Sequence, residues 1–475
     1  MTADLDSIIT HYHTLLDAAL ARETFATLDA EQRTRGMLIG PQRDRLICPV
    51  LRPRFITRAQ YETLTGAASL VGRAIRAVSA ATLTDPTLLA PYRLTPAERE
   101  LLAIDPGYPG ATLFGRLDGF LAPDGAWCWF IEANVESPAG IGYDDALAGI
   151  FDQTRIMAAF RETFQATPLP VRQGLQQMLL DAYRAWGGRG TPTVAIVDFP
   201  GVATWSEFAY LQQRFEADGL PTVVCTPDDL QYQGGRLYVA TRLADGGASW
   251  RPVDLVYRRL LQHEFLAMYD LHHPLIRAYA DRVACVVNPF RTKPAHTKLI
   301  MWLLSDDEGR ASGILDAESA IAVARHIPWT RLVQRGTTRY QGERVDLLDF
   351  ARRHRERLAL KPNDAYGGEG VILGWETSPL TWEGALERAR EEPFVLQERV
   401  PMPEEPYPTW SDDEGIILTP QYVDADPCLY GDRAVGCLTR IATAAKLNVS
   451  AGGGSAPPTF LVEPKPTQEP ANANP

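Results

Sequence analysis

Residues 358–374 read LALKPNDAYGGEGVILG: an apolar run ending in a lysine, a polar turn, three glycines around Glu369, then a second apolar run. So much glycine marks a joint between two strands, because glycine alone takes positive φ angles without a steric penalty. From the residues alone, the joint has two readings. It is either a plain hairpin whose turn needs those angles, or a flap over a polyphosphate, with backbone N–H groups facing oxygens and Lys361 as counter-charge.

A second hairpin is written far upstream, in GRLDGFLAPDGAWCWFIEAN. Asp118 lies on its first strand. Glu132 and Asn134 lie two apart on the second and so share a face. Oxygen ligands of this kind suit Mg²⁺, which is held by one or two carboxylates together with phosphates and water. Register decides whether Asp118 joins them. A two-residue turn at Asp124-Gly125 would set Asp118 opposite Ile131, whereas an odd loop centred on Gly125 pairs it with Glu132. The expectation is an odd loop. The plain alternative is a half-exposed hairpin with its polar residues in water.

Other candidates are single residues. Lys298 precedes an apolar helix and Lys361 ends a strand. Each is either a solvated surface charge or one of a pair converging on phosphates. FVLQERV, with Gln397, Glu398 and Val400, is a core strand or one that offers its backbone to an adenine edge. Arg440 in GCLTRIAT and Asn448 before SAGGGS fit charge stabilisation on a transferred group, or a hairpin with a flexible loop. Arg258 and Arg259 follow DLVY; alternation would turn one of them toward a cleft, where it could clamp a carboxylate.

The chain has 475 residues, enough for two or three packed units. Its net charge of −12 argues against a general nucleic-acid binder. No apolar run is long enough to span a membrane, and the N-terminus has no secretory pattern. The six scattered cysteines, without CxxC, read as reduced thiols of a cytoplasmic protein. Residues 1–110 read as helical, with capping boxes at Thr57–Gln60 and Thr95–Glu98. Residues 111–189 hold the Asp118/Glu132 strand pair and following helices. Residues 190–288 alternate strand and helix, including one helix over 262–280, as a small α/β unit with a partly parallel sheet. Residues 289–462 carry the glycine-rich hairpin. The end, 463–475, is proline-rich and expected to be disordered.

Taken in this order, RLDGF…FIEAN, VNPFRTKPAHTK, KPNDAYGGEGVILG, FVLQERV, GCLTRIA and NVSAGGGS resemble the ATP-grasp superfamily. The metal-binding strand pair comes more than 200 residues before the flap, which resembles the circularly permuted branch with glutathionylspermidine-synthetase-like and glutathione-synthetase-like proteins. The resemblance covers roughly residues 110–462. It implies an α/β ATP-grasp fold with a small substrate-side domain, using ATP and Mg²⁺ on small-molecule acid and amine substrates. A carboxylate would be phosphorylated to an acyl phosphate, which an amine or thiol then attacks.

By position, the resemblance implies phosphate binding by Lys298 and Lys361 and a flap at Gly367, Gly368 and Gly370. It implies an adenine and ribose pocket at Gln397, Glu398 and Val400, and a metal site at Asp118, Glu132 and Asn134. Arg440 and Asn448 would stand near the transferred phosphate, with Arg440 and Lys361 catalytic. Ser137, Arg258 and Arg259 are candidates for the acid pocket. One departure is Ala456-Pro457-Pro458 after the GGGS loop, where relatives are expected to carry a basic residue. The same fold would also allow a protein that binds ATP without ligating, or a phosphotransferase.

Overall fold

The computed structural model describes residues 4–40, 42–109, 114–242, 248–306, 310–311, 313–431, 433–447, 449 and 453–465. Asn448 and residues 466–475 therefore lie outside the described residues. The class is mixed α/β. Both capping boxes form: Thr57 opens the helix Arg58–Thr82 and Thr95 opens Pro96–Ala103, each with reciprocal bonds to the residue three further on. Leu64, Ala68, Val71, Ile75 and Val78 recur at helical spacing along the buried face of the first. That face lies across the strands Asp426–Tyr430 and Arg433–Leu438.

Those two strands belong to an antiparallel sheet in the order Arg433–Leu438, Asp426–Tyr430, Phe114–Leu121, Cys128–Asn134. A second sheet lies within residues 190–288. Its strands Cys285–Val287, Leu255–Arg258, Val194–Val197 and Thr222–Cys225 are all parallel, not partly so. Three of them are buried along their whole length, as a sheet covered on both faces requires. The helix expected over 262–280 is two, Gln262–Met268 and Pro274–Ala280. His273 Nδ1 accepts the Leu275 N–H at 3.1 Å and Pro274 takes the first helical position, so a new N-terminus starts there.

The glycine-rich stretch joins Leu358–Pro362 to Ile372–Leu373, paired antiparallel, and Gly367, Gly368 and Gly370 have φ of 62°, 76° and 66°. Thr459–Pro464 runs parallel to Arg54–Thr57 and antiparallel to Phe164–Pro168, tying the end of the described chain to its beginning. Glu463 and Pro464, expected in a disordered tail, belong to this strand, where they pair with Gln165 and Phe164. No helix among the described residues is long and apolar enough to cross a membrane.

The upstream hairpin corrects the odd-loop expectation while keeping its consequence. Leu121 pairs with Cys128, Phe120 with Trp129 and Gly119 with Phe130, which is the even register centred on Asp124-Gly125. The register then shifts by one residue at Ile131, and Asp118 pairs with Glu132 after all. A β-bulge does what the loop was expected to do. Gly119 permits it: a Cβ there would lie 2.3 Å from the Trp129 carbonyl oxygen. Gly119→Ala should therefore cost about 1–3 kcal/mol in urea unfolding, the usual range for overpacking. Gly149→Ala, on a helix with nothing within 4 Å of the added carbon, should be neutral or stabilising.

Candidate functional site

At the far end of that hairpin, Asp118 is clasped by two guanidinium groups. Arg116 donates from Nε at 2.7 Å and Nη2 at 3.0 Å, and Arg440 Nη2 donates at 2.8 Å. Arg440 also reaches Asp424 at 2.6 Å, and its Nη2 stands 3.1 Å from Asp426 Oδ2. Three buried carboxylates thus face two arginines. Burial alone would raise the Asp118 carboxyl, but Arg116 and Arg440 overcome it and hold the group well below the usual range. Asp426 goes the other way. Burial, with Asp118 and Asp424 beside it, pushes its carboxyl well up despite Arg440.

Next along the strand, Glu132 pairs with Lys298 Nζ at 3.0 Å. Lys361, nine-tenths buried, donates to Gln397 Oε1 at 2.6 Å. The bulge turns the Ile131 carbonyl toward this pair, where it accepts from Gln397 Nε2 at 3.2 Å and lies 3.5 Å from Lys361 Nζ. Burial lowers the Lys361 ammonium to about 8, and Lys298 adds to the fall while Glu132 opposes it. Two lysines thus converge on one carboxylate from a helix start and a strand, as their separate sequence contexts allowed but did not require.

The glycine hairpin is seated over these lysines. Lys298 Nζ donates to the Ala365 carbonyl at 2.5 Å, and Asn363 Oδ1 accepts from Leu299 N at 2.9 Å. Lys293 meets Asp364 at 2.5 Å, and the Tyr366 hydroxyl donates to Glu264 at 2.9 Å. Gly367, Gly368 and Gly370 remain on the exposed side. On the neighbouring strand, Gln397 turns toward Lys361, while Glu398 accepts from the Tyr340 hydroxyl at 2.5 Å. The Glu398 and Arg399 N–H groups bond to the Trp329 and Arg357 carbonyls at 2.8 Å, and Val400 is buried.

Arg258 and Arg259 do not divide between cleft and core as alternation suggested: both are buried. Arg258 donates to Glu136 at 2.8 Å and to the Asn288 carbonyl at 2.9 Å. Arg259 bonds to the Pro138 carbonyl and to Tyr257, and Ser137 donates to the Arg259 carbonyl. Backbone carbonyls beyond the strand ends thus bond to both cations, an arrangement period-two reasoning does not see. Asn134 contributes a side-chain hydrogen bond to Asp118.

Sequence reasoning missed Arg116, Asp424, Asp426, Lys293, Glu136, Gln262 and His296. For the first three a signal was present: Arg-Leu-Asp and Asp-Ala-Asp place like-facing charges two apart, just as Glu-Ala-Asn does. No group of three or more His, Cys, Asp or Glu among the described residues is arranged to hold a metal ion by itself.

No family model matches the chain. It is 26% identical to a Frankia casuarinae protein provisionally named glutamate–cysteine ligase 2-2, over 93% of this chain and 50% of that protein. It is also 26% identical to uncharacterized proteins of Synechocystis sp., over 70% of this chain and 66% of the relative, and of Mycobacterium leprae, over 68% and 55%. The chain thus spans about half to two-thirds of the length of these relatives. Among solved structures, a glutathione synthetase-like effector from Globodera pallida in its apo form superposes with a TM-score of 0.57. The match has 12% identity and covers 94% of this chain and 98% of that one. The fold is shared with a glutathione synthetase-like protein.

Proposed function

We propose that this chain is an ATP-dependent ligase of the circularly permuted ATP-grasp type, joining a carboxylate to an amine or thiol on a small amino-acid-like or peptide substrate. The observation that carries the proposal is the convergence of buried Lys298 and Lys361 on Glu132, under a glycine hairpin bonded to Lys298 itself. Two ammonium groups beneath exposed glycines suit a polyphosphate, and the relative named as a glutamate–cysteine ligase supports an acid–amine or acid–thiol pair.

Lys298 and Lys361 would hold phosphate oxygens, with N–H groups of Gly367, Gly368 and Gly370 closing over them. Gln397 holds Lys361, while Glu398 and Val400 would flank the adenine and ribose. Arg440 would face the transferred group, and the resemblance alone assigns Asn448 to the same role. Asp118, Glu132 and Asn134 fit Mg²⁺ as two carboxylates and an amide on one face, once Lys298 and Arg440 turn to phosphate. Bound there, Mg²⁺ would neutralise charge on the phosphate oxygens. In the reaction, a carboxylate oxygen attacks the γ-phosphorus and ADP leaves. The amine nitrogen then attacks the acyl carbon, phosphate departs with the bonding pair, and the nitrogen loses a proton.

Thermal unfolding with Mg²⁺-ATP tests the binding half. At about 100-fold over the dissociation constant, ligand should add about 2.7 kcal/mol to the folded state, and Lys298→Ala should lose most of it. ADP release that needs both an acid and an amine supports ligation. A stable phosphorylated acid formed without amine would make the protein a phosphotransferase instead, a response to ATP without turnover would leave an ATP-binding role, and no response would mean that the fold has lost its nucleotide chemistry.

A further inference from the structure

Six buried side-chain atoms without a hydrogen-bond partner fall on four short segments beside Lys298: Glu136 Oε2, both ends of the Gln262 amide, His296 Nδ1, Thr297 Oγ1 and Asp364 Oδ1. Glu136 and Gln262 have 0% exposure. Glu136 Oε1 is fully used, accepting from Arg258 at 2.8 Å and from the Gln262 backbone N–H at 2.9 Å. Its Oε2 is not, and His296 Nε2 stands off at 3.9 Å. Asp364 spends its other oxygen on Lys293. His296 lies within electrostatic reach of Glu136, Lys293, Asp364 and Lys298, so these segments surround one place.

A buried polar atom left unpaired costs roughly 1–3 kcal/mol, and a native chain carries few of them. Their concentration here points to a polar ligand, and their types say which. Glu136 Oε2, Asp364 Oδ1 and Gln262 Oε1 are acceptors, matching the three N–H groups of a primary ammonium. Gln262 Nε2 and the Thr297 hydroxyl are donors, matching a carboxylate. The fixed charges cancel, since Glu136 is paired with Arg258 and Asp364 with Lys293. A net-neutral zwitterion therefore fits better than a polyamine or a dicarboxylate. Asp364 lies on the glycine hairpin and Thr297 precedes Lys298, so the patch adjoins the proposed phosphate site.

We infer that this patch recognises the α-ammonium and α-carboxylate of an amino-acid substrate. Its catalytic meaning rests on the ligase proposal, but binding alone does not. Calorimetric titration of the full chain with L-amino acids, one at a time, is the test. Each is compared with the amine lacking its carboxylate and the acid lacking its ammonium, as cysteamine and 3-mercaptopropionate are for cysteine. At least one amino acid should bind tenfold or more tightly than either counterpart.

Gln262→Met keeps the side-chain length and removes two unpaired atoms. It should resist urea better than wild type without ligand, bind the amino acid at least tenfold more weakly, and keep the Mg²⁺-ATP response. Thr297→Val, nearly isosteric, gives a second, smaller loss. If every amino acid binds no better than its counterparts, or both variants bind as wild type does, the patch holds only water and the inference falls. Amino-acid binding without ADP formation would sustain the site and remove the ligase instead.

Discussion

Lys361→Met is expected to lower ATP-dependent turnover by about 10²–10³-fold, the usual loss when one preorganised cation or donor leaves a reacting site, while the chain stays folded. Methionine fills the stem of the lysine and removes a charge whose burial is unfavourable. That burial sets a pH signature. The ammonium falls from 10.5 to about 8 in the folded chain, so between these values the unfolded chain binds the extra proton. The penalty is fully present below pH 8 and is relieved as pH rises toward 10.5.

Wild type alone will not show this cleanly. Burial pushes the thiols of Cys48, Cys128, Cys225, Cys285, Cys428 and Cys437 up, and each lowers stability as pH rises past the ordinary thiol range. The readout is therefore the difference between wild type and Lys361→Met in buffer without nucleotide or divalent cations, where the thiols cancel. Wild type should gain on the variant from pH 8 to 10.5. A flat difference would mean an ordinary solvated lysine and would take Lys361 out of the site.

What could be read from the chain was local. Thr57 and Thr95 with their partners three residues on fixed two helix starts, because a capping box is closed within one turn. Glu132 and Asn134 shared a face for the same kind of reason. The pairing of Asp118 with Glu132 was expected from loop parity, yet it is produced by a bulge whose cause, the close approach of Gly119 to the Trp129 carbonyl, is a contact across strands. Asp424 and Asp426 lie about three hundred residues from Asp118, and only sheet order makes them neighbours through Arg440. The partners of Arg258 and Arg259 were not legible from alternation, because backbone carbonyls after the strands receive both side chains.

That same sheet order makes Asp118→Asn and Asp426→Asn, alike on paper, opposite in effect. Asp118 accepts three hydrogen bonds from two guanidinium groups. An amide there turns N–H against N–H, so about 3–5 kcal/mol should be lost in urea at pH 7 in cation-free buffer. Because its folded carboxyl is depressed, the stability Asp118 adds is present above its unfolded value and lost as pH falls, and the gap to the variant should close in acid.

Asp426 is raised by burial and by its two carboxylate neighbours, so the folded chain keeps a proton there that the unfolded chain gives up. Wild type therefore loses stability as pH climbs above the ordinary carboxylate range. Asparagine, the shape of the protonated acid, should cost within about 1 kcal/mol at pH 7 and gain on wild type as pH rises. The double variant separates this account from simple packing loss. With Asp118 neutral, Asp426 is free to ionise and serve Arg440, softening the first loss; with both gone, that rescue is absent, and the double variant should lose more stability than the two single losses added together. Equal losses for the two single variants, or plain additivity, would mean that the three carboxylates do not share the two arginines as one electrostatic unit.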